Sequence, residues 1–93
     1  MAGRRLHGDG LVHIGFGGYL SKRLIVAIAP VEAAPIRRFM REVREQGVVI
    51  DMTRGRRTQS VILMMNGTVV LAPLTPLTIA TRMGWVSERA GEV

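Results

Sequence analysis

The stretch VVIDMTRGRRTQSVILMMNGTVVLA, residues 48–72, decides the fold. Val48–Thr53 is rich in β-branched residues and predicts a strand. Arg54-Gly55-Arg56-Arg57 is a turn whose glycine can take a positive φ. Thr58–Met65 is the next strand, and Thr68–Ala72 pairs back on it. Asn66-Gly67 between them is the strongest hairpin signal in the chain, because a type I′ turn needs positive φ at both central residues.

Upstream, Pro35 suits the first turn of a helix, where its missing N–H costs nothing. Ile36, Phe39, Met40 and Val43 follow at i, i+3, i+4 and i+7, one face of a helix over Pro35–Gln46. Gly47 is placed to end it as a C-cap, while the N-cap looks weak without Ser, Thr, Asp or Asn beside Pro35. Further upstream, Leu11–Ile14 predicts a short strand broken by Gly15-Phe16-Gly17-Gly18. Arg23–Ala29, bounded by Pro30, predicts a strand with both faces covered. Downstream, Thr75-Pro76 is an N-cap and first-turn pair opening a short helix to about Met83, stopped by Gly84. The expected class is α+β, in the order β-β-α-β-β-β-α, with a mostly antiparallel sheet on the main helix. Residues 11–84 form the single domain, 1–10 a flexible arm and 85–93 a polar tail.

Ninety-three residues allow one domain, whose core is marginal by itself. No Cys is present, so neither a disulfide nor a Cys-held zinc supplements it, and oligomerisation is the remaining support. A large enzyme cleft is disfavoured, and no cofactor or small-molecule substrate is implied. The longest apolar run, Leu24–Pro30, is far short of the roughly 20 residues of a membrane helix. With no secretory pattern near Arg4 and Arg5, the expectation is a cytoplasmic protein away from membranes.

The net charge is +6, which attracts polyanions. Twelve of the 13 basic residues are Arg, either because Arg grips phosphate and guanine bidentately or because of codon bias. Arg37–Arg57 holds seven Arg against Glu42, Glu45 and Asp51, a net +4 in 21 residues. Arg37, Arg41 and Arg44 share a helix face that reads most simply as solvated, with Arg38–Glu42 and Arg41–Glu45 as i, i+4 pairs. The Arg54-Gly55-Arg56-Arg57-Thr58 turn is different. Three Arg within four residues repel one another unless an anion lies between them. Their guanidinium groups suit phosphates and a base edge, and the Thr58 hydroxyl adds a donor. The structural alternative is that these Arg pair with acids of a neighbouring subunit.

Aromatics number only Phe16, Tyr19, Phe39 and Trp85, too few for the stacking platforms of single-strand binders, so double-stranded DNA is the favoured polyanion. With only His7 and His13, no metal site or catalytic triad has supporting spacing. Gly15-Phe16-Gly17-Gly18 lacks the third Gly, the helix and the distal acid of a dinucleotide fingerprint, and reads as close strand packing or an interface.

Several segments, taken together, resemble a known family. His13-Ile14-Gly15-Phe16-Gly17, Ala29-Pro30, Ala34-Pro35-Ile36-Arg37-Arg38, Asp51-Met52-Thr53 and Gly55-Arg56-Arg57-Thr58 lie in the order and spacing of the RemA-like regulators, the extracellular-matrix regulatory family of bacteria. Val69-Val70-Leu71, Pro76 and Arg82-Met83 extend the likeness over Val12–Met83. The resemblance implies a ring-forming DNA-binding transcription regulator without enzymatic activity, acting in the cytoplasm at the nucleoid and, by the family's name, on biofilm matrix. It also implies DNA contacts at Arg23 and at the paired Arg56 and Arg57, with Pro35 structural. Gly18, Gln59 and Thr78 depart from the family's usual Asn, Arg and Glu, and Arg54 offsets the charge absent at Gln59.

The expected site is therefore Arg23, Arg54, Arg56, Arg57 and Thr58, with a basic patch on each protomer built on Arg23, Arg56 and Arg57. The expected partners are double-stranded DNA and further copies of the chain. The alternatives are an assembly protein with Arg–acid contacts between subunits and an RNA-binding regulator.

Overall fold

The computed structural model describes residues 10–86. The arm and most of the polar tail, with Arg4, Arg5 and His7, lie outside them. The described chain is α+β: β1 (Leu11–Gly15), β2 (Gly18–Ser21), a 3-10 turn (Lys22–Leu24), β3 (Ile25–Pro30), α1 (Ala34–Gln46), β4 (Val49–Asp51), β5 (Ser60–Met64), β6 (Val69–Ala72) and α2 (Pro76–Met83). One strand more than expected stands before α1, because the Gly15–Gly18 break is a hairpin turn joining β1 to β2.

The sheet of four runs β3-β5-β6-β4, antiparallel except for the parallel β4–β6 pair. Along β5 and β6 alternate residues feed two cores, as period-2 geometry requires. Val61, Val69 and Leu71 meet Met40 on the α1 side. Ile62, Val70 and Ala72 meet Val12, Ile14, Ile25, Ile79 and Met83 under the β1–β2 hairpin and α2. The chain is thus layered as helix, sheet, then hairpin with helix. Ile62 is wholly buried at the centre. Cutting it to Ala costs about 2–5 kcal/mol through lost transfer energy and a cavity.

The strands covered on both faces are therefore β5 and β6. The apolar run of β3, expected to have both faces covered, lies on an edge strand, and Val26 on it is 54% exposed. Among the described residues it pairs only with β5, whose other side is taken by β6.

Both helix ends follow their local chemistry. Ala33 caps α1 with no side-chain hydrogen bond, as its composition implied. Gly47 ends it in an extended conformation (φ −115°), its N–H donating to the Val43 carbonyl oxygen, so no left-handed cap forms there. At α2 the Thr75 hydroxyl accepts from the Thr78 N–H, and the two hydroxyls bond at 2.8 Å, so Thr78 substitutes for the usual acid. Gly84 (φ 85°) closes that helix, with its N–H on Thr81 O and the Trp85 N–H on Ala80 O, a Schellman pair.

Two turns exchange the roles expected for them. The Met64–Gly67 turn closes with a Gly67 N–H to Met64 O bond, but Asn66 has no positive φ and only Gly67 does. That is a turn with a following glycine bulge rather than type I′. Asn66 instead uses its side-chain oxygen to accept from the Thr68 N–H. The two-residue loop with positive φ at both positions is Phe16-Gly17 (52° and 81°), between the paired Gly15 and Gly18. Gly15 and Gly18 have close neighbours there: a Cβ on the first would lie 3.0 Å from Pro73 Cγ, and on the second 3.0 Å from Met52 Cε.

Candidate nucleic-acid interface

The loop between β4 and β5 carries Arg54, Arg56, Arg57 and Thr58, and both its ends are anchored. At its start Asp51 Oδ1 accepts from the Thr53 N–H at 2.9 Å and from the Thr53 hydroxyl at 2.6 Å. Thr53 is itself buried, so this pair fixes where the loop leaves the sheet. The Thr53 hydroxyl and then its N–H hold the Asp51 carboxyl below its ordinary value, with a smaller pull from Arg44. At the far end the Gln59 N–H reaches Ala72 O, its amide reaches Pro73 O, and the Ser60 hydroxyl reaches Leu74 O at 2.6 Å. Gln59 thus ties the loop to the segment before α2.

Between these anchors the backbone turns sharply. Arg54 and Gly55 both have positive φ (57° and 81°), and the Arg56 N–H closes the turn on Thr53 O at 3.0 Å. A left-handed conformation costs a non-glycine L-residue roughly 1–2 kcal/mol, so Arg54 is held there by its surroundings. The result is three exposed guanidinium carriers on a tight turn.

The three are not equally free. The Arg56 guanidinium lies over the Phe16 ring, 4.6 Å from its centroid. Phe16 reaches it from the tip of the β1–β2 hairpin. Arg82 packs α2 against the hairpin by donating to the His13 carbonyl oxygen at 3.0 Å. His13 Nε2 accepts the Gly17 N–H at 3.3 Å, close to the tip. Arg57 pairs with Glu32 at 3.6 Å, with their side chains 81% and 64% exposed, a pair worth about 0–1 kcal/mol in water. It is the one ion pair among the described residues. The expected Arg38–Glu42 and Arg41–Glu45 pairs do not form, because these exposed side chains gain little from holding that geometry.

Arg23 stands apart. It lies in the 3-10 turn before Ile25, which pairs with Met64, whereas the loop precedes Ser60, which pairs with Pro30. The length of β3, about 17 Å of strand, separates them. The structure brings Arg54, Arg56, Arg57 and Thr58 together and leaves Arg23 at the opposite end of the sheet. The single patch of Arg23, Arg56 and Arg57 expected on one protomer is not formed within one chain. Phe16 as the seat of Arg56 and Glu32 as the partner of Arg57 were not among the expected site residues. An aromatic flanked by glycines in a turn was the available signal for the first. Nothing local signalled the second.

The described chain is thus an α+β domain that presents an anchored, arginine-rich turn. Comparison with known proteins supplies its family. Residues 11–83 match the family model described as extracellular matrix regulatory protein A-like, and the chain belongs to this RemA-like family. A Dehalococcoides mccartyi protein is 49% identical over 73 residues, covering 78% of this chain and 76% of the relative. Proteins of Desulforamulus reducens (43% over 83 residues, 89% and 90% covered) and Clostridium botulinum (42% over 83 residues, 89% and 93%) are similar along most of their length. Each of the three bears the name "Putative regulatory protein".

Proposed function

We propose that the chain is a homo-oligomeric regulator of transcription that grips double-stranded DNA through the Arg54–Thr58 loop. One observation carries the reading: three Arg stand on a turn anchored at Asp51–Thr53 and at Gln59–Ser60, with Arg56 already laid on Phe16. Anchoring removes much of the entropy that a free arginine would lose on meeting a phosphate. Family membership supports the regulatory role, and no helix among the described residues is long and apolar enough to cross a membrane. The site of action is the cytoplasmic nucleoid.

The sheet supports the assembly in this reading. Its two edges are β3 and β4, and among the described residues both are unpaired on their outer sides. Val26 on β3, Ile50 on β4 and Val48 just before β4 leave apolar side chains exposed at opposite edges of one sheet. Such edges invite pairing with another chain. Joining β3 of one copy to β4 of the next is head-to-tail, a contact that builds a ring where the rotation between copies closes. A ring repeats the Arg loop, sets Arg23 of successive copies along the same assembly, and turns weak contacts into useful affinity.

Fluorescence anisotropy with a labelled random duplex at about 50 and 200 mM salt tests the reading, because phosphate-driven binding falls steeply with salt. Tight binding at low salt that collapses at high salt is expected. The R56A/R57A variant weakens binding and flattens the salt slope while the assembly persists. No binding by the folded, assembled protein overturns the DNA reading. A variant that sediments as a monomer reassigns those Arg to the subunit interface.

A further inference from the structure

The basic helix face that reads as merely solvated in sequence borders a cavity. Arg37, Arg41 and Arg44 line an opening of about 350 Å³ between α1 and the sheet. Thr58 lines it from the Arg loop, and the buried Met40 and Leu71 form its apolar side.

The electrostatics of this place are one-sided. Three guanidinium carriers converge on a single volume, and none of them has a carboxylate partner among the described residues. Glu42 and Glu45, on the same helix, form no ion pair with them. Asp51, which feels the charge of Arg44, already accepts two hydrogen bonds from Thr53. Arg37 uses its Nε to donate to the Glu32 carbonyl oxygen at 3.3 Å, which fixes the side chain and leaves its terminal nitrogens available. Like charges gathered beside an apolar wall repel less strongly once an anion sits among them. Guanidinium forks and a hydroxyl donor are the groups that bind tetrahedral phosphate oxygens.

The geometry points to a phosphate-binding site in this cavity, built on the Arg37, Arg41 and Arg44 face of α1 and adjoining the Arg54–Thr58 loop at Thr58. A volume of about 350 Å³ is at the small end of ligand sites and takes a phosphate with a modest apolar portion against Met40 and Leu71. Two sources carry that group: a free phosphorylated small molecule acting as an effector, or the backbone of a duplex that runs past the loop. The site touches the loop at Thr58, and Glu32 links its two sides by holding Arg37 through its carbonyl and Arg57 through its carboxylate. Occupancy is therefore placed to alter the loop.

Calorimetric titration of sodium pyrophosphate into the full chain, in low-salt buffer without phosphate, tests the first source. The salt slope of duplex binding tests the second. The helix variant R41Q/R44Q and the loop variant R56A/R57A remove equal charge, so they control for net charge alone. All four side chains are exposed, and thermal melts verify the fold, with Arg44→Gln alone as the milder substitute. A free effector is indicated when pyrophosphate affinity falls at least about ten-fold in the helix variant, one unit of log K, and clearly less in the loop variant. A DNA source is indicated when pyrophosphate gives no heat but the duplex salt slope of the helix variant falls by about 2, one step per lost phosphate contact. The proposal is overturned if the helix variant keeps both the pyrophosphate affinity and the duplex slope of the parent chain. Equal loss of pyrophosphate in both variants, with an unchanged duplex slope in the helix variant, overturns it too. A chain that binds pyrophosphate through α1 but no duplex refutes the DNA reading and leaves this site standing.

Discussion

The Arg56 guanidinium rests 4.6 Å above the Phe16 ring, and each of the two residues depends on a backbone turn of positive φ. Phe16 is in the left-handed region itself, and Arg56 follows Arg54 and Gly55, which are both in it. Two strained turns from distant parts of the chain thus meet through one cation–π contact. Strain at an aromatic and at an arginine persists only where the surroundings fix it, and here both turns serve the same exposed guanidinium.

The first prediction follows from that contact. Phe16→Asn puts a residue that tolerates positive φ in the turn and removes the ring. Thermal stability holds or rises, while duplex affinity falls about two- to five-fold, matching the 0.5–1 kcal/mol of an exposed cation–π pair. Melting curves and anisotropy on the same sample check it. A loss of stability with unchanged affinity would mean that the ring serves the hairpin and not Arg56.

Arg54→Asn separates strain from charge in the same way. Asn adopts the left-handed conformation more readily, so the melting temperature rises. One phosphate contact goes, so the duplex salt slope drops by about 1. An unchanged slope places Arg54 outside the interface.

Much of this arrangement was legible in the residues, and the failures share a cause. The helices were readable because caps, prolines and period-3.6 faces act locally: Pro35, Thr75 and Gly84 mark their ends, and Met40 and Ile79 their buried sides. The β1–β2 hairpin was missed because Phe16-Gly17 is a poor type I′ sequence, made tolerable by Gly15 and Gly18 packing against Pro73 and Met52. The edge position of β3 was hidden because an apolar run has the same composition whether it is covered by its own chain or left for another. The Arg loop was visible as a charge cluster, whereas its anchors at Asp51 and Gln59 depend on partners fixed by the fold.

Glu32 restrains Arg57, so Glu32→Gln releases it. The exposed pair contributes little to stability, and the melting temperature stays within about a degree of the parent. Removing a carboxylate beside the DNA grip raises duplex affinity a few-fold at low salt, and the gain shrinks as salt screens it. Weaker binding in the variant would show that Glu32 orients Arg57 productively rather than competing with the phosphate.

Asp51 gives the loop a defined acid sensitivity. Its carboxyl is held below its ordinary value of 3.8, first by the Thr53 hydroxyl and next by the Thr53 N–H. The unfolded chain therefore binds more protons in that range, and the contribution of Asp51 is complete above its ordinary value and lost as pH falls through the lowered one. Comparing melts of the parent and Asp51→Asn from about pH 6 down to pH 3 tests this. The difference stays constant above about pH 5 and narrows below about pH 4. A difference that persists unchanged to the lowest pH assigns the effect to geometry and not to the charge.

The unpaired sheet edges make the sharpest demand on the assembly. Val26 is exposed on β3 and Ile50 on β4, so each reports on one side of the proposed head-to-tail joint. A charge buried at an apolar joint without a partner is expensive, so Val26→Asp and Ile50→Asp should each dissociate the protein in sedimentation while its folded circular dichroism is kept. Mixing the two variants distinguishes the geometry. In a head-to-tail joint each contact uses one β3 edge and one β4 edge, so a dimer forms from the intact edges of the two variants and stops there. In a joint of like edges, each variant alone still dimerises through its untouched edge. If neither substitution changes the sedimentation of the parent protein, these edges are not where copies meet.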